Sequence, residues 1–337
     1  MKSQRFGIEM EMTGISRKKA AEVIAAYFGA RAVYDGGSYD AYHVTDGQGR
    51  KWKVVSDASI HPAARDGRSA STLYKVEVVS PICHYEDIET IQELVRKLRH
   101  AGACVNRSCG IHIHVDAAPH SVKTLRNLVN IMVSKEDLLY KALDVDVARE
   151  DHYCQKTDLS FLEEQNRKKP KSIENFERMW YHGDSRRYAH YDETRYHALN
   201  LHSVFSKGTI EFRLFNGTMH AGKVKTYIQL SLAISHQALV QKGASHSRTK
   251  STNEKYTFRT WLLRLGMIGE EFQTARKFLL ENLEGNIAWK DPAQAERQKE
   301  RLAAKRMEET AQSVQAEDAP EPETETQQEE GFSLQMF

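Results

Sequence analysis

Residues 5–12, RFGIEMEM, alternate along the chain, so that Ile8, Met10 and Met12 take one face of a strand and Glu9 and Glu11 the other. The same two-residue period returns in three further places. Residues 109–116, CGIHIHVD, set His112 and His114 against Ile111, Ile113 and Val115. Residues 208–217, GTIEFRLFNG, set Glu211 and Arg213 against Ile210, Phe212 and Leu214, and residues 73–81, LYKVEVVSP, place Glu77 between Val76 and Val78 before Pro81 ends the strand. A further strand is predicted over 195–205, and the Gly/Asp punctuation of 34–40 and 45–57 predicts turns between short strands. The histidine strand is expected to begin near Cys104.

Between these strands the period changes to that of a helix. Ser16 is placed to cap a helix over 17–29 that stops at Gly29, and a second spans 85–102. Pro119 is expected to open a long amphipathic helix reaching about Leu143, and three more follow over 223–241, 256–266 and 270–285. Residues 144–190 mix polar and aromatic positions and predict only short helices and loops. The order of elements gives an α+β fold, a curved and mostly antiparallel sheet with helices packed on its apolar face.

Charge divides the chain in two. Residues 291–337 hold 12 Asp/Glu and 5 Lys/Arg, a net of −7, which leaves +9 on residues 1–290 of a chain whose total is +2. A catalytic domain over 1–290 is therefore expected, followed by a charged helix and an acidic disordered tail over 291–337. Residues 311–330 carry seven carboxylates and no Lys, Arg or aromatic, too little to order a segment by burial. Cys83, Cys104, Cys109 and Cys154 are too few and too irregularly spaced for a disulfide framework or a zinc knuckle, so reduced thiols are expected. No apolar run reaches the roughly 18 residues of a membrane span, and the first residues lack a signal-peptide core, so a cytoplasmic place is expected.

Stacking the four polar-faced strands in one sheet would gather Glu9, Glu11, Glu77, His112, His114, Glu211 and Arg213 over one surface. An ordinary outer face explains any one strand alone, but such faces favour Thr, Lys, Ser and Gln in mixture. Carboxylates brought together repel unless cations join them. Glutamates outnumber imidazoles and no thiolate belongs to the set, which favours Mg²⁺ or Mn²⁺ over zinc. Arg213 would meet a phosphate or carboxylate. Neither a G-x-x-x-x-G-K-[ST] loop nor a G-x-G-x-x-G is present, so a nucleotide would be held by metal and Arg.

GIEMEM, WKVVSDASI (52–60), VEVVSP (76–81), NRSCGIHIHVD (106–116) and RYHALNLHSVFSKGTIEFRLFNGT (195–218) together resemble, in order and spacing, the amidoligase family of bacteria and phages. That family is similar to glutamine synthetase and glutamate–cysteine ligase, so the resemblance implies a glutamine-synthetase-like catalytic fold and ATP-dependent amide formation through an acyl phosphate. It covers roughly residues 5–240. It implies that Glu9, His112 and Glu211 hold the metal on the ATP phosphates and that Glu11 and Glu77 hold a second metal near the acceptor carboxylate. By the same resemblance His114 contacts ATP and Arg213, with Arg195, binds the transferring phosphate. Asp57 and Asn200 lie in matching motifs, Asp57 on the catalytic side and Asn200 with the nucleotide. Substrates would be small-molecule or peptide acids and amines, with no membrane partner and the oligomeric state open.

Two other classes compete. H-x-H on a strand also opens the metal centre of barrel amidohydrolases, which would need regular βα alternation. Residues 166–197 mix cations with aromatics and suit a nucleic-acid-binding protein, a reading that leaves the acidic strand faces unexplained.

Overall fold

The computed structural model describes residues 1–189 and 191–317. They divide into two units, Met1–Ile287 and a second beginning at Ala288. In the first unit the strands are β1 (Phe6–Met12), β2 (Ala32–Gly36), β3 (Ala41–Thr45), β4 (Lys51–Val55), β5 (Val76–Val79), β6 (Gly110–Asp116), β7 (Leu199–Asn200) and β8 (Thr209–Asn216). They form one eight-stranded sheet in the order β2-β3-β4-β5-β1-β6-β8-β7. Every pairing is antiparallel, without the βα alternation of a barrel among the described residues.

The helices of this unit are α1 (Arg17–Phe28), α2 (Ile88–His100), α3 (Val122–Leu143), α4 (Val147–His152), α5 (Leu159–Lys168), α6 (Ile173–Trp180), α7 (His202–Lys207), α8 (Ala221–Val240), α9 (Glu254–Arg264) and α10 (Gln273–Leu280). The Ser16 side chain accepts from Lys19 N at the start of α1, and Gly29 ends it at φ 63°. α1 covers β2 to β5, α8 covers β6, α3 packs on β8 and α8, and α2 fills the space between α1 and α8. Beneath them the apolar sides of the strands are fully buried, Ile8, Met10 and Met12 on β1, Ile111, Ile113 and Val115 on β6, and Ile210, Phe212 and Leu214 on β8. Each such side chain contributes roughly 1.5–3 kcal/mol when removed from water, so the register that places these rows inward also fixes what faces the other way.

In this unit the structure departs from the sequence reading in four places. Pro119 does not open α3; the Ser121 and Thr124 side chains cap each other's backbone amides, and the helix starts at Val122. Residues 195–205 form no long strand: a 3-10 turn over Glu193–Arg195 leads into the two residues of β7 and then into α7, which Gly208 closes at φ 71°. Cys104 makes only an isolated bridge to Thr13, so the histidine strand begins at Gly110. The polar face of the sheet is not bare, because α4 and α7 pack back against β8.

In the second unit, α11 (Pro292–Glu317) is a single helix. It runs seven residues into the acidic segment expected to stay unordered; its side chains described are exposed, so the local backbone bonds of a helix sustain it without burial. The rest of the acidic tail lies outside the described residues.

Candidate active site

The four strands whose patterns agree are neighbours, β5-β1-β6-β8. Register does the rest. Glu9 faces His112 across the β1–β6 pair, Glu11 faces Glu77 across β1–β5, and His114 faces Glu211 across β6–β8. The β6–β8 ladder slips here, from Ile111 opposite Phe215 to Ile113 opposite Phe212, so that Arg213 and Leu214 together oppose His112. Such a bulge re-aims the side chains it carries, and here it coincides with the turn of Arg213 toward the acids.

The result is two groups that share His112. Donor atoms of Glu9, His112 and Glu211 all lie within 4.8 Å of one another, as do those of Glu11, Glu77 and His112. Glu9 Oε2 is 3.2 Å from His112 Nδ1, and Glu9 Oε1 is 3.2 Å from His114 Nε2. Glu211 pairs with Arg213 and accepts from the buried Asn200 amide at 2.7 Å. His114 Nδ1 is fixed by Thr209 Oγ1 at 3.0 Å. Glu11 accepts from Gly110 N at 2.5 Å, and Asp57 accepts from Ser59 N at 2.6 Å.

The two groups differ in charge balance. Burial alone would raise the carboxyls of Glu9 and Glu211. For Glu9 the imidazoles of His114 and His112 outweigh it and hold the group well below the usual carboxylate range. For Glu211 the Arg213 guanidinium does the same, to about 2. Burial works against charge on His114, but Glu9 and Glu211 raise its pKa. At the other end burial, joined by the charges of Glu9, Glu11 and Asp57, pushes Glu77 well above its ordinary value. Burial also raises Glu11, with His112 and Arg149 offsetting it only in part and Asp57 adding to it. Two carboxyls directly opposite each other are only partly balanced by cations at that end.

Two cavities open on this face. One of about 510 Å³ is lined by Glu9, Glu11, Asp57, Glu77, His112, Arg195 and Arg213, together with Tyr39, Tyr153, Tyr191 and Tyr196. A second of about 300 Å³ lies between β1, β5 and β8, with Gly7, Val79, Pro81, Ile82, His114 and Lys207 in its wall. Gly7 alternates with the core residues of β1 and so leaves a floor without a side chain, where a Cβ would sit 3.8 Å from Ser80 Oγ. Every residue singled out in the sequence thus reaches this face or its rim; Arg195 and Asn200 also line a smaller cavity of about 180 Å³ behind Glu211. Sequence reasoning missed Arg149, Tyr153 and Lys207, the last with Nζ 3.9 Å from Glu9 Oε1. They come from stretches without a strong period, the first two from the polar and aromatic residues 144–190, which predicted only short helices and loops.

No curated protein matches the chain. Among solved structures, a bifunctional glutathione synthetase from Pasteurella multocida is similar at 12% identity and a TM-score of 0.37, over 82% of this chain and 46% of that one. A likeness of that size carries no argument about activity, and the chain spans less than half of that protein's length. The family described as "Putative amidoligase enzyme" matches residues 2–235, more than half of the sequence and the whole of β1 to β8. The chain belongs to the amidoligase family.

Proposed function

We propose that the protein is an ATP-dependent carboxylate–amine ligase that forms an amide through an acyl phosphate. The observation that carries this reading is the pair of largely buried donor groups sharing His112, with Arg213 paired to Glu211 beside them and two cavities opening on the same face. The donor set, carboxylate oxygens with one imidazole and no thiolate, fits Mg²⁺ or Mn²⁺, and the raised carboxyls of Glu11 and Glu77 mark where positive charge is missing. Divalent cations held there would neutralise the phosphate oxygens and the leaving ADP.

The chain's own residues supply position and charge. Glu9, His112 and Glu211 would hold the first cation and Glu11 with Glu77 the second. Asn200 keeps Glu211 oriented, and the Arg213 and Arg195 guanidiniums meet the transferring phosphoryl group. His114, held by Thr209, would reach the nucleotide's phosphates. The side-chain-free floor at Gly7 and the apolar wall of Val79, Pro81 and Ile82 suit a flat nucleoside. The acid's oxygen attacks the γ-phosphorus, ADP leaves, and the amine then displaces phosphate from the acyl carbon while giving up a proton, which Asp57 in the cavity wall would accept.

Purified protein with Mg²⁺ and ATP should release ADP and phosphate only when a suitable acid and amine are both present, and Glu9→Ala or Glu211→Ala should abolish the release. Amide cleavage that needs no nucleotide would refute the reading.

A further inference from the structure

Three arginines among the described residues are buried, Arg17, Arg149 and Arg213. A guanidinium cannot shed its charge, so burying one is costly unless an anion and acceptors meet it. Arg17 meets Asp40 and two carbonyls, and Arg213 meets Glu211. Arg149 is different. Among the described residues its buried Nε has no partner, its guanidinium makes a hydrogen bond only from Nη2 to the Arg213 carbonyl at 3.3 Å, and no carboxylate pairs with it.

The fold nonetheless clears space for this group. Arg149 reaches from α4 across β6 at Gly110, where a Cβ would fall 2.3 Å from Nη2 and 2.8 Å from Cζ, and the Tyr153 ring stands 5.9 Å from Cζ. The guanidinium therefore lies against bare backbone in the wall of the 510 Å³ cavity, close enough to Glu11 to lower its pKa. It sits beside Glu11 in that wall. When Glu11 turns its charge to a cation, Arg149 is left with no counter-charge from the protein.

We propose that Arg149 receives a second carboxylate of the acid substrate, so that the acid activated here is a dicarboxylic unit, free or within a peptide. This rests on the ligase reading for which carboxylate reacts, but the subsite itself is a matter of binding. The planar guanidinium fork matches a carboxylate through two parallel hydrogen bonds, and the flanking tyrosines leave room for the carbon skeleton between the two acid groups.

The test uses the full chain. Glutarate, free glutamate and N-acetylglutamyl peptides are each compared with the counterpart in which one carboxylate is an amide. Binding is measured by calorimetry with Mg²⁺, and turnover as hydroxamate formed from ATP and hydroxylamine. At least one diacid should bind wild type better than its amide counterpart, by about 30-fold or more, the loss expected when one partner of a buried charge pair is removed. Arg149→Met should erase that preference and raise KM with little change in kcat, and Arg149→Lys should restore part of it. Gly110→Ala, which crowds the guanidinium, should act like Arg149→Met and serves if that variant does not fold. Equal binding of diacid and amide, no binding of any probe, or a fall in kcat at unchanged KM would overturn the proposal. A diacid preference without hydroxamate would keep the Arg149 subsite and sink the ligase reading.

Discussion

Glu11 and Glu77 stand directly opposite on neighbouring strands, a placement that costs a sheet roughly 0.2–1 kcal/mol when both are charged. Glu77→Gln removes one of the two acids, so the metal-free variant should unfold at a higher temperature than wild type, while Mg²⁺ or Mn²⁺ should stabilise it less. A lower midpoint without metal would show that the pair is held by something other than a cation. Arg213 carries a different load, since its fork is already engaged with Glu211 and Tyr153 O. Arg213→Lys keeps the charge but not the fork, and kcat should fall about 10²–10³-fold, the loss typical of one charge-stabilising donor. At this scale the sequence was legible wherever one face was greasy: Glu9, Glu11, His112, His114, Glu211 and Arg213 were all marked by the apolar residues between them. Arg149 was not, because it lies on a six-residue helix whose only signal is the Asp146 cap.

At the scale of elements, the site is the reverse side of a core row. Phe212 is fully buried between Glu211 and Arg213, so Phe212→Ala should cost about 3–5 kcal/mol in denaturant unfolding, and the protein that stays folded should bind metal less tightly because β8 has lost its anchor. A cost below 1 kcal/mol would mean that α3 and α8 rather than the sheet fix β8. Ser121→Ala should cost about 1 kcal/mol, the worth of a helix cap. β1, β6 and β8 were readable because alternation is enforced by burial of one face. The segment 195–205 was not, because Leu199, Leu201 and Phe205 are spaced two and four apart and suit a strand, while packing against β8 and the left-handed Gly208 turn its second half into α7. Pro119 misled for a simpler reason: a proline is tolerated at a helix start, but the Ser121 and Thr124 pair is what satisfies the free amides.

On the scale of the whole molecule, the helical layer carries a pH dependence of its own. His120, just ahead of α3, reaches α8 with Nε2 3.0 Å from Ser235 Oγ, and burial lowers its pKa to about 4 from 6.5. Between those values the unfolded chain binds a proton that the folded one does not, so stability is full above pH 6.5 and declines as pH falls to about 4. The loss is roughly 3 kcal/mol, and His120→Asn should flatten the curve across that window. An unchanged slope would assign the loss to other groups. A chain ending at Thr310 should keep both its unfolding midpoint and its activity, since the buried hydrophobic core lies within the first unit; a fall in either would give the removed residues a part in folding or catalysis. No helix among the described residues is long and apolar enough to cross a membrane. In the proposed reaction an oxygen of the acid passes to the γ-phosphate on this sheet face, and isotope transfer reports that step directly. With an acid whose carboxylate is labelled with ¹⁸O, the phosphate released during amide formation should carry one labelled oxygen. Amide formed while the phosphate stays unlabelled would contradict it.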